Sequence, residues 1–406
     1  MIKIDEKISL KEQSALLKKC KDRGLDLNEE LKKLGLTYDL LRYRNYTEGE
    51  VSFSEYRSIE EYKQRNHGIP AVSFFSGAGG LDIGFDYAGF NNLASVEVNE
   101  LFCETLRLNY PNHLVIGPPD LSGDVKDKEE IAKTLKKSLG IKSPFEGVFH
   151  GGPPCQPFSM ASNQRFAKED DNFKRKGFSD KEKGNLLNDY IWFIKKFKPR
   201  VFLIENVPGL SEIDNGKGLN KSLDELVKIG YKIANPHILN ASDFGVPQKR
   251  LRLIIIGTRQ GTNFEYPQIN LSPTPCFDVF ERSIFENENH VTREHTAESV
   301  LRYMELNYGQ RDQLGRVDRL NPFLPSKTVI AGGTKGGGRS HLHPYSPRTL
   351  SVRESARLQT FPDNYVFVGP SARQFTQVGN AVPPLLARQI AKSVSALFLS
   401  RKPKRA

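Results

Sequence analysis

Four short apolar runs, separated by stretches with helical spacing, constrain the fold of this chain more than any other feature. The runs are Ala71–Phe75, Gly147–His150, Val201–Glu205 and Leu251–Gly257, and a further strand is expected to end near Glu97. The helical stretches are about 81–88, 101–109, 129–139 and 186–197. Strands that alternate with helices predict a mostly parallel sheet with helices on both faces. We therefore expect a doubly wound α/β fold that begins near Ile69.

The alternation stops after Gly257, and this break divides the chain. Residues 258–348 are rich in Gly, Pro, Asn and Arg without a clear period, which predicts a smaller domain of loops and short strands. Residues 1–69 are polar with leucines at roughly helical spacing, which favours a solvated helical extension over a small DNA-binding appendage. The expected divisions are 1–69 (N-terminal extension), 70–257 (α/β domain), 258–348 (second domain), 349–398 (return to the α/β domain) and 399–406 (basic tail).

Composition excludes several classes of protein. The chain has no run of 18 apolar residues, and its charged N-terminus lacks the apolar core of a signal peptide, so we expect a cytoplasmic protein with no membrane contact. The four cysteines contain no Cys-x-x-Cys pair, which argues against a disulfide framework and against a metal site.

The charge balance favours a polyanionic partner. The formal net charge is +11, and seven of the basic residues lie between Arg311 and Arg348, where the acids are Asp312 and Asp318. Basic proteins without nucleic-acid function are common, so charge alone leaves the partner open.

A glycine-rich turn follows the first strand, at Phe75–Gly80, and opens a helix. Glycines there allow the backbone to approach a ligand at the carboxyl edge of the sheet, and Glu97 could bind the hydroxyl pair of a ribose. The third glycine of a dinucleotide motif is replaced by Asp82, whose charge would repel a pyrophosphate. A ligand with an ammonium group and no phosphate fits better, and S-adenosylmethionine has these properties.

Two strand ends carry candidate catalytic groups. Cys155 stands in Gly151–Ser159, a Gly/Pro-rich loop directly after a strand, where a reactive thiol is a better interpretation than a buried structural cysteine. The strand Val201–Ile204 ends in Glu205 and is followed by Asn206, Val207 and a proline. A carboxylate at such a strand end indicates function, although a helix-capping acid is the simpler alternative.

With these residues in view, the chain resembles the DNA (cytosine-5)-methyltransferases of bacterial restriction–modification systems. The resemblance runs in order from about Ile69 to Leu397. Its motifs are the cofactor turn Phe75–Gly80, the Pro-Cys loop Gly151–Ser159, Glu205-Asn206-Val207, Gln248–Arg252, Arg353–Pro362 and Gln377–Pro384. The fold it implies is that of S-adenosylmethionine-dependent methyltransferases, with a target recognition domain at 258–348.

The resemblance implies a mechanism. The Cys155 thiolate adds to carbon 6 of cytosine, Glu205 binds ring nitrogen 3 and the exocyclic amine, and Arg252 holds the carbonyl oxygen with Arg250 close by. The methyl group comes from S-adenosylmethionine, which becomes S-adenosylhomocysteine. The base that removes the proton from carbon 5 is not identified, and the cytosine must be flipped out of the duplex.

The resemblance also implies the residues that bind the cofactor. Phe75 should face the adenine, Glu97 the ribose, and Asp124 the adenine amine, while Asn380 and Val382 lie near the methionine end. The remaining expected contacts are Gly77, Gly79, Gly80, Leu81, Val98, Val125 and Pro153. The family often has a large apolar residue after the acid, and this chain has Val98 instead.

Contacts with double-stranded DNA are expected from two regions. One is the loop after Cys155, through Gln156 and Ser159, with Lys174, Arg175 and Lys176 as phosphate contacts. The other is the recognition domain, where Lys327 and Thr328 precede the glycine-rich run Gly332–Gly338 and arginines could read guanines. These arginines are Arg316, Arg319 and Arg339.

Two other classes remain open. A tRNA methyltransferase of the same fold would share the Pro-Pro-Cys chemistry, and a non-catalytic DNA-binding protein could keep the fold. The sequence Cys155-Gln156-Pro157 argues against the first, and retention of Cys155, Glu205 and Arg252 argues against the second. We expect a monomeric bacterial enzyme associated with the nucleoid, with a cognate restriction endonuclease that acts on the same site without an obligatory complex.

Overall fold

The computed structural model describes residues 8–45, 59–154, 186–212, 216–259, 261–269, 272–280, 287–315, 317–331 and 341–399. The chain forms two compact units. The α/β unit comprises Ile59–Ser272 with Ala381–Ala406, and the second unit comprises Met1–Ser58 with Pro273–Asn380.

The regular elements of the described residues are numbered in chain order. The helices are α1 (Leu10–Arg23), α2 (Leu27–Lys33), α3 (Gly80–Tyr87), α4 (Glu100–Asn109), α5 (Lys128–Leu139), α6 (Leu186–Phe197), α7 (Gly209–Glu212), α8 (Lys217–Lys228), α9 (Ala297–Tyr303), α10 (Val352–Leu358), α11 (Ser371–Asn380) and α12 (Pro384–Leu399). The strands are β1 (Ile69–Phe74), β2 (Phe90–Val96), β3 (Leu114–Ile116), β4 (Val148–Gly151), β5 (Val201–Asn206), β6 (Lys232–Ile233), β7 (His237–Asn240), β8 (Leu251–Thr258), β9 (Arg311–Asp312), β10 (Val317–Arg319) and β11 (His341–Leu342).

One sheet organises the α/β unit. Among the described residues its strand order is β3-β2-β1-β4-β5-β8-β6, and β7 also pairs with β8. The first five strands in this order pair in parallel, whereas β8 runs antiparallel to β5. The carboxyl ends of β1, β2, β4 and β5 therefore meet at one edge. The doubly wound, mostly parallel α/β fold predicted from the sequence is confirmed.

Helices cover both faces of this sheet. Every residue of β4 and β5 is buried, because successive side chains of a strand point to opposite faces and both faces are packed. On one face Phe74 and Phe149 pack with Phe193 of α6. On the other face Leu203 and Ile254 belong to the core formed with α3 and α12.

The N-terminal helices belong to the second unit, and this differs from the solvated extension that we expected. Leu17 of α1 and Leu31 of α2 are buried in one apolar cluster with Leu41, Val300 and Met304. Val300 lies on α9, inside the segment 258–348 for which the sequence showed no period. The leucine spacing correctly predicted helices, but their buried face packs against a part of the chain that is distant in sequence.

The second unit also contains a small sheet, in the order β11-β10-β9. The second unit is built from residues 1–58 and 273–380. The sequence had instead suggested domain boundaries at 257/258 and 348/349. The sequence also missed three short strands and two helices: β3, β6, β7, α8 and α11. No helix within the described ranges has the length and apolarity that a membrane crossing requires.

Candidate active site

The glycine turn between β1 and α3 has a constrained backbone. Phe75, Gly77 and Gly79 all have positive φ angles, of 54°, 56° and 77°. At Gly80 the constraint is space: a Cβ there would lie 2.2 Å from the carbonyl oxygen of Val382. The structure thus brings together the turn and Val382, two parts of the chain that the sequence analysis assigned to one cofactor site.

Glu97, directly after β2, ties this turn to the neighbouring strand. Its Oε2 accepts the Gly77 amide at 2.8 Å, and its Oε1 accepts the Asn99 amide at 2.8 Å. Burial raises the pKa of Glu97, although these backbone hydrogen bonds act in the opposite direction. A carboxylate has about four acceptor sites, so acceptor capacity remains beside these backbone donors.

The loop that carries Asp124 lies against Glu97. A Cβ on Gly123 would fall 2.1 Å from the Glu97 carbonyl oxygen, and a Cβ on Gly117 would fall 2.2 Å from it. Close approach of the two backbones therefore requires glycine at both positions. The Oδ1 of Asp124 accepts the Lys126 amide at 3.0 Å, and Val125 is buried in the core.

The other expected cofactor residues differ in exposure. Phe75 is partly buried and packs edge-on against Tyr190, with ring centroids 6.1 Å apart. Leu81 is buried, whereas Val98 is 57% exposed and offers an apolar surface next to Glu97. Asn380 is exposed at the last residue of α11.

Asp82 has a role that the sequence did not suggest. Its carboxylate is buried and accepts hydrogen bonds from Ser95 at 2.5 Å and from Ser73 at 3.0 Å, and Ser73 in turn accepts one from Ser76 of the turn. Asp82 therefore joins β1, β2 and the turn. The signal in the sequence was an acid in α3 combined with serines on two neighbouring apolar strands.

Glu205, on β5, faces a cation from the antiparallel neighbour β8. Nε of Arg252 lies 2.6 Å from Oε1 of Glu205, and the side chains are 12% and 11% exposed. Burial raises the pKa of Glu205, although Arg252 and Arg250 both act to lower it. Arg250 is buried as well, with its amide donating to Oδ1 of Asn240 at 3.1 Å.

The backbone that leads to Cys155 lies beside this pair. A Cβ on Gly152 would fall 2.6 Å from Oε2 of Glu205, so the second carboxylate oxygen touches the loop directly. Asn206 donates from Nδ2 to the Pro153 carbonyl oxygen at 3.2 Å. The sequence placed Gly152 in the Gly/Pro-rich loop that carries Cys155 and missed both contacts. Cys155, Gln156 and Ser159 lie outside the described residues.

The residues expected to bind DNA in the second unit differ in their exposure and contacts. Lys327 is exposed, with Nζ 3.0 Å from Oδ1 of Asp318, and the Thr328 carbonyl oxygen lies 3.3 Å from Nε2 of His341. Arg316 and Arg339 lie outside the described residues.

Arg319 requires a correction. It is 1% exposed, and its guanidinium stacks on the Tyr43 ring at 3.5 Å and the Tyr308 ring at 4.2 Å. It also donates to the carbonyl oxygens of Leu306 and Pro344. Such a side chain supports the fold and is not placed to read a base, contrary to our expectation.

Residues 69–396 match the family model of the C-5 cytosine-specific DNA methylases. The chain belongs to this family. Its enzyme class is DNA (cytosine-5)-methyltransferase, which confirms the resemblance found in the sequence. The chain is 33% identical over 344 residues to the Type II methyltransferase M1.HphI of Haemophilus parahaemolyticus, covering 80% of this chain and 86% of that protein. It is 28% identical to the Type II methyltransferase M.Eco47II of Escherichia coli, covering 89% and 87%.

Solved structures agree with the fold. A crystal structure of a prophage-encoded DNA modification methyltransferase from E. coli superposes with a TM-score of 0.66 at 25% identity, covering 82% of this chain and 99% of that one. The S. pombe Dnmt2 methyltransferase superposes with a TM-score of 0.54 at 17% identity, covering 82% of this chain and 98% of that one. At 17% identity, the similarity to the second structure supports the fold only.

Proposed function

We propose that this methyltransferase modifies carbon 5 of a cytosine flipped out of a specific duplex DNA site, through a covalent bond to Cys155. The observation that carries the proposal is the meeting of three parts at one sheet edge: the carboxylate of Glu205, the guanidinium of Arg252 and the Gly152–Pro153 backbone that leads into Cys155. Three adjacent strands, β4, β5 and β8, supply these groups, and the groups meet where ligands of doubly wound folds bind.

A protonated Glu205 carboxyl group is complementary to the hydrogen-bonding edge of cytosine. Ring nitrogen 3 accepts a hydrogen bond and the exocyclic amine donates one, and a neutral carboxyl group offers one donor and one acceptor. Burial raises the pKa of Glu205, which favours this neutral form. Arg252, whose Nε contacts Oε1 of Glu205, would present its remaining donors to the carbonyl oxygen of the base.

The reaction is an addition to carbon 6 of the base followed by an elimination. The Cys155 thiolate forms a bond to carbon 6, and the displaced electron pair makes carbon 5 nucleophilic as nitrogen 3 takes the proton of Glu205. When bound, S-adenosylmethionine supplies an electrophilic methyl group and leaves as S-adenosylhomocysteine. As carbon 5 takes the methyl group, nitrogen 3 returns its proton to the Glu205 carboxylate. A base or water then removes the proton from carbon 5, and the electron pair of that C–H bond restores the 5,6 double bond and expels the Cys155 thiolate.

The turn fits this cofactor. Gly77 and Gly80 allow backbone approach, and the Glu97 carboxylate can accept from ribose hydroxyls. The exposed apolar surface of Val98 adjoins Glu97, where an adenine ring would be covered. Asp124 lies in the loop packed on Glu97 and would accept from the adenine amine.

The biological setting is proposed from the relatives. Those named above are Type II methyltransferases, which favours host-DNA protection in a restriction–modification system. A cognate endonuclease would then act on the same site without forming a stable complex with this chain.

Transfer of a labelled methyl group from S-adenosylmethionine tests the proposal. Duplex DNA should accept the label, tRNA should not, and sequencing should place 5-methylcytosine in one sequence context. Duplex DNA with 5-fluorocytosine at that site should give a denaturation-resistant complex, since fluorine cannot leave as a proton. Cys155→Ser should form no such complex. Methyl transfer to tRNA and not to duplex DNA would show that the substrate is tRNA. Turnover by Cys155→Ser within about tenfold of wild type would exclude the covalent route.

A further inference from the structure

We infer that Asp39 and Tyr43 are positioning residues for target recognition, so that the site specificity of this enzyme depends on a segment outside the matched family region. The inference rests on the proposed function, because it concerns how the DNA site is chosen. The family match begins at residue 69, whereas Asp39 and Tyr43 lie in the N-terminal part of the second unit.

Asp39 completes a buried ionic cluster. Arg348 is 1% exposed and donates to Glu354 of α10 from Nη1 at 2.9 Å and from Nη2 at 2.6 Å. Its Nε also donates to Oδ1 of Asp39 at 2.6 Å. Burial acts to raise the pKa of Asp39, but the Arg348 guanidinium holds that pKa well below its usual range. Removal of Asp39 would therefore leave the buried Arg348 guanidinium with one carboxylate fewer.

The backbone of Asp39 also contacts the stretch that leads to Arg348. Ser346 donates from Oγ to the Asp39 carbonyl oxygen at 3.0 Å. Within the described residues, the chain from His343 to Arg348 is thus tied to the N-terminal segment at both of its ends, because the Tyr43 hydroxyl donates to the His343 carbonyl oxygen at 2.9 Å.

Tyr43 forms a second connection. Its ring is fully buried and covers one face of the Arg319 guanidinium, whose Cζ lies 3.5 Å from the ring centroid. Arg319 is the last residue of β10. Arg319 is stacked on this ring and also hydrogen-bonded through Nε and Nη1, which holds the end of β10 more firmly than apolar contact alone.

These contacts reach the segment that the sequence assigns to base readout. β11 (His341–Leu342) follows the glycine-rich run, and Lys327 and Thr328 precede it. Nε2 of His341 lies 3.2 Å from the Lys327 carbonyl oxygen and 3.3 Å from that of Thr328. The two flanks are therefore joined to each other, and His343 joins them to Tyr43. Asp39 and Tyr43 thus set the position of both flanks.

A purely structural role makes a different prediction from a positioning role. If these residues only stabilised the unit, their loss would lower methylation of all duplexes alike. If they position the flanks, their loss relaxes the discrimination between the target and duplexes with one changed base pair, because that discrimination depends on fixed contact geometry.

The test compares Asp39→Asn, Tyr43→Phe and wild type, with Glu29→Gln as the matched control. Glu29 lies in α2 of the same segment, and its side chain is 60% exposed in a surface pair with Lys32. The methylated site is first identified by sequencing DNA treated with wild type. The ratio of kcat/KM on that site to kcat/KM on single-pair variants is then measured, together with the Kd for S-adenosylmethionine.

Asp39→Asn and Tyr43→Phe should each lower this ratio at least about fivefold, the lower end of the penalty for one mismatched pair. The cofactor Kd and the Glu29→Gln ratio should stay within about twofold of wild type. An unchanged ratio with activity reduced evenly on all duplexes would overturn the inference. If Asp39→Asn does not fold, Tyr43→Phe, which loses one hydroxyl, decides alone. Absence of methyl transfer by wild type would instead refute the proposed function.

Discussion

Nε of Arg252 lies 2.6 Å from Oε1 of Glu205, and about nine-tenths of each side chain is buried. The two residues come from antiparallel neighbours, β8 and β5, so the pair spans the sheet edge where the Pro-Cys loop begins. A buried pair of this kind is costly to break, because the remaining charge has no water to replace its partner. The pair therefore fixes the position of the carboxyl group that we assign to cytosine.

Glu205→Gln should lower the single-turnover methylation rate by about 10²–10⁴-fold, since the amide cannot deliver a proton to ring nitrogen 3. It should also reduce the free energy of unfolding by up to about 3 kcal/mol at pH values where Glu205 is ionised, because Gln cannot supply the counter-charge for Arg252 there. Glu225→Gln is the control: Glu225 pairs with Lys195 at 3.0 Å on the surface, and its loss should leave the rate unchanged. A wild-type rate in Glu205→Gln would remove Glu205 from the chemistry.

The same carboxyl group should shape the pH dependence of the rate. Protonated Glu205 and ionised Cys155 are both required, so the wild-type rate should rise with pH, pass through a maximum and then fall. Burial raises the pKa of Glu205, which widens the range in which the proton is available. In Glu205→Gln the fall at high pH should disappear, leaving a single rise governed by the thiol. Single-turnover rates at closely spaced pH values check this, and a persistent fall in the variant would assign it to another group.

Gly80→Ala should weaken binding of S-adenosylmethionine. The added Cβ would lie 2.2 Å from the Val382 carbonyl oxygen, so the turn and the start of α12 must move apart. We expect a loss of about 1–3 kcal/mol in unfolding free energy and a higher cofactor Kd, measured by calorimetry. Gly140→Ala controls for stability: Gly140 has φ +63° in open space at the end of α5, so strain there should leave the Kd unchanged. Equal Kd values for Gly80→Ala and wild type would separate Gly80 from the cofactor site.

The sheet was predictable because its strands are buried on both faces. β1, β4 and β5 are short, mostly apolar and bounded by helical stretches with a clear period. The N-terminal helices were also found, but a leucine stripe shows only that one face is buried and not what it packs against. The partner of Leu17 and Leu31 is α9, more than 250 residues away in the chain, and no local pattern reports such a contact.

The candidate site was predictable where an unusual residue type stands at a strand end, as Glu205 and Glu97 do. It was not predictable where the role depends on distance in space. Asp82 looked like an acid facing the ligand, whereas the structure buries it between serines of β1 and β2. Arg319 looked like a base-reading arginine because its segment is basic, but two tyrosine rings enclose it.

The Arg348 cluster should confer a specific loss of stability in acid. Burial acts to raise the pKa of Glu354, but Arg348 outweighs it and lowers that pKa to about 2. The carboxylate therefore contributes stability that is present above its ordinary pKa and lost as the pH falls toward about 2. Between pH 5 and pH 3, wild type should lose on the order of 1–2 kcal/mol more unfolding free energy in urea than Glu354→Gln does. The surface variant Glu29→Gln should lose as much as wild type. Equal losses in wild type and Glu354→Gln would show that the cluster does not titrate as described.

Transplantation of specificity should require two segments of the chain. A graft of residues 258–348 alone from M.Eco47II replaces Arg319 and Arg348 but leaves Tyr43 and Asp39 behind, so both buried arginine contacts lose their matched partners. M.Eco47II is a suitable donor because its alignment covers 89% of this chain, more than residues 69–406 contain, and so extends into the N-terminal segment. We expect the single graft to methylate DNA poorly, at less than about a tenth of the wild-type rate, because each mismatched buried contact costs about 1–3 kcal/mol. A double graft of 1–58 with 273–380 should recover activity and methylate the donor's site, as read by sequencing. If the single graft moved the site at full rate, the N-terminal segment would have no part in recognition, and if the double graft kept the host's site, recognition would lie in the α/β unit.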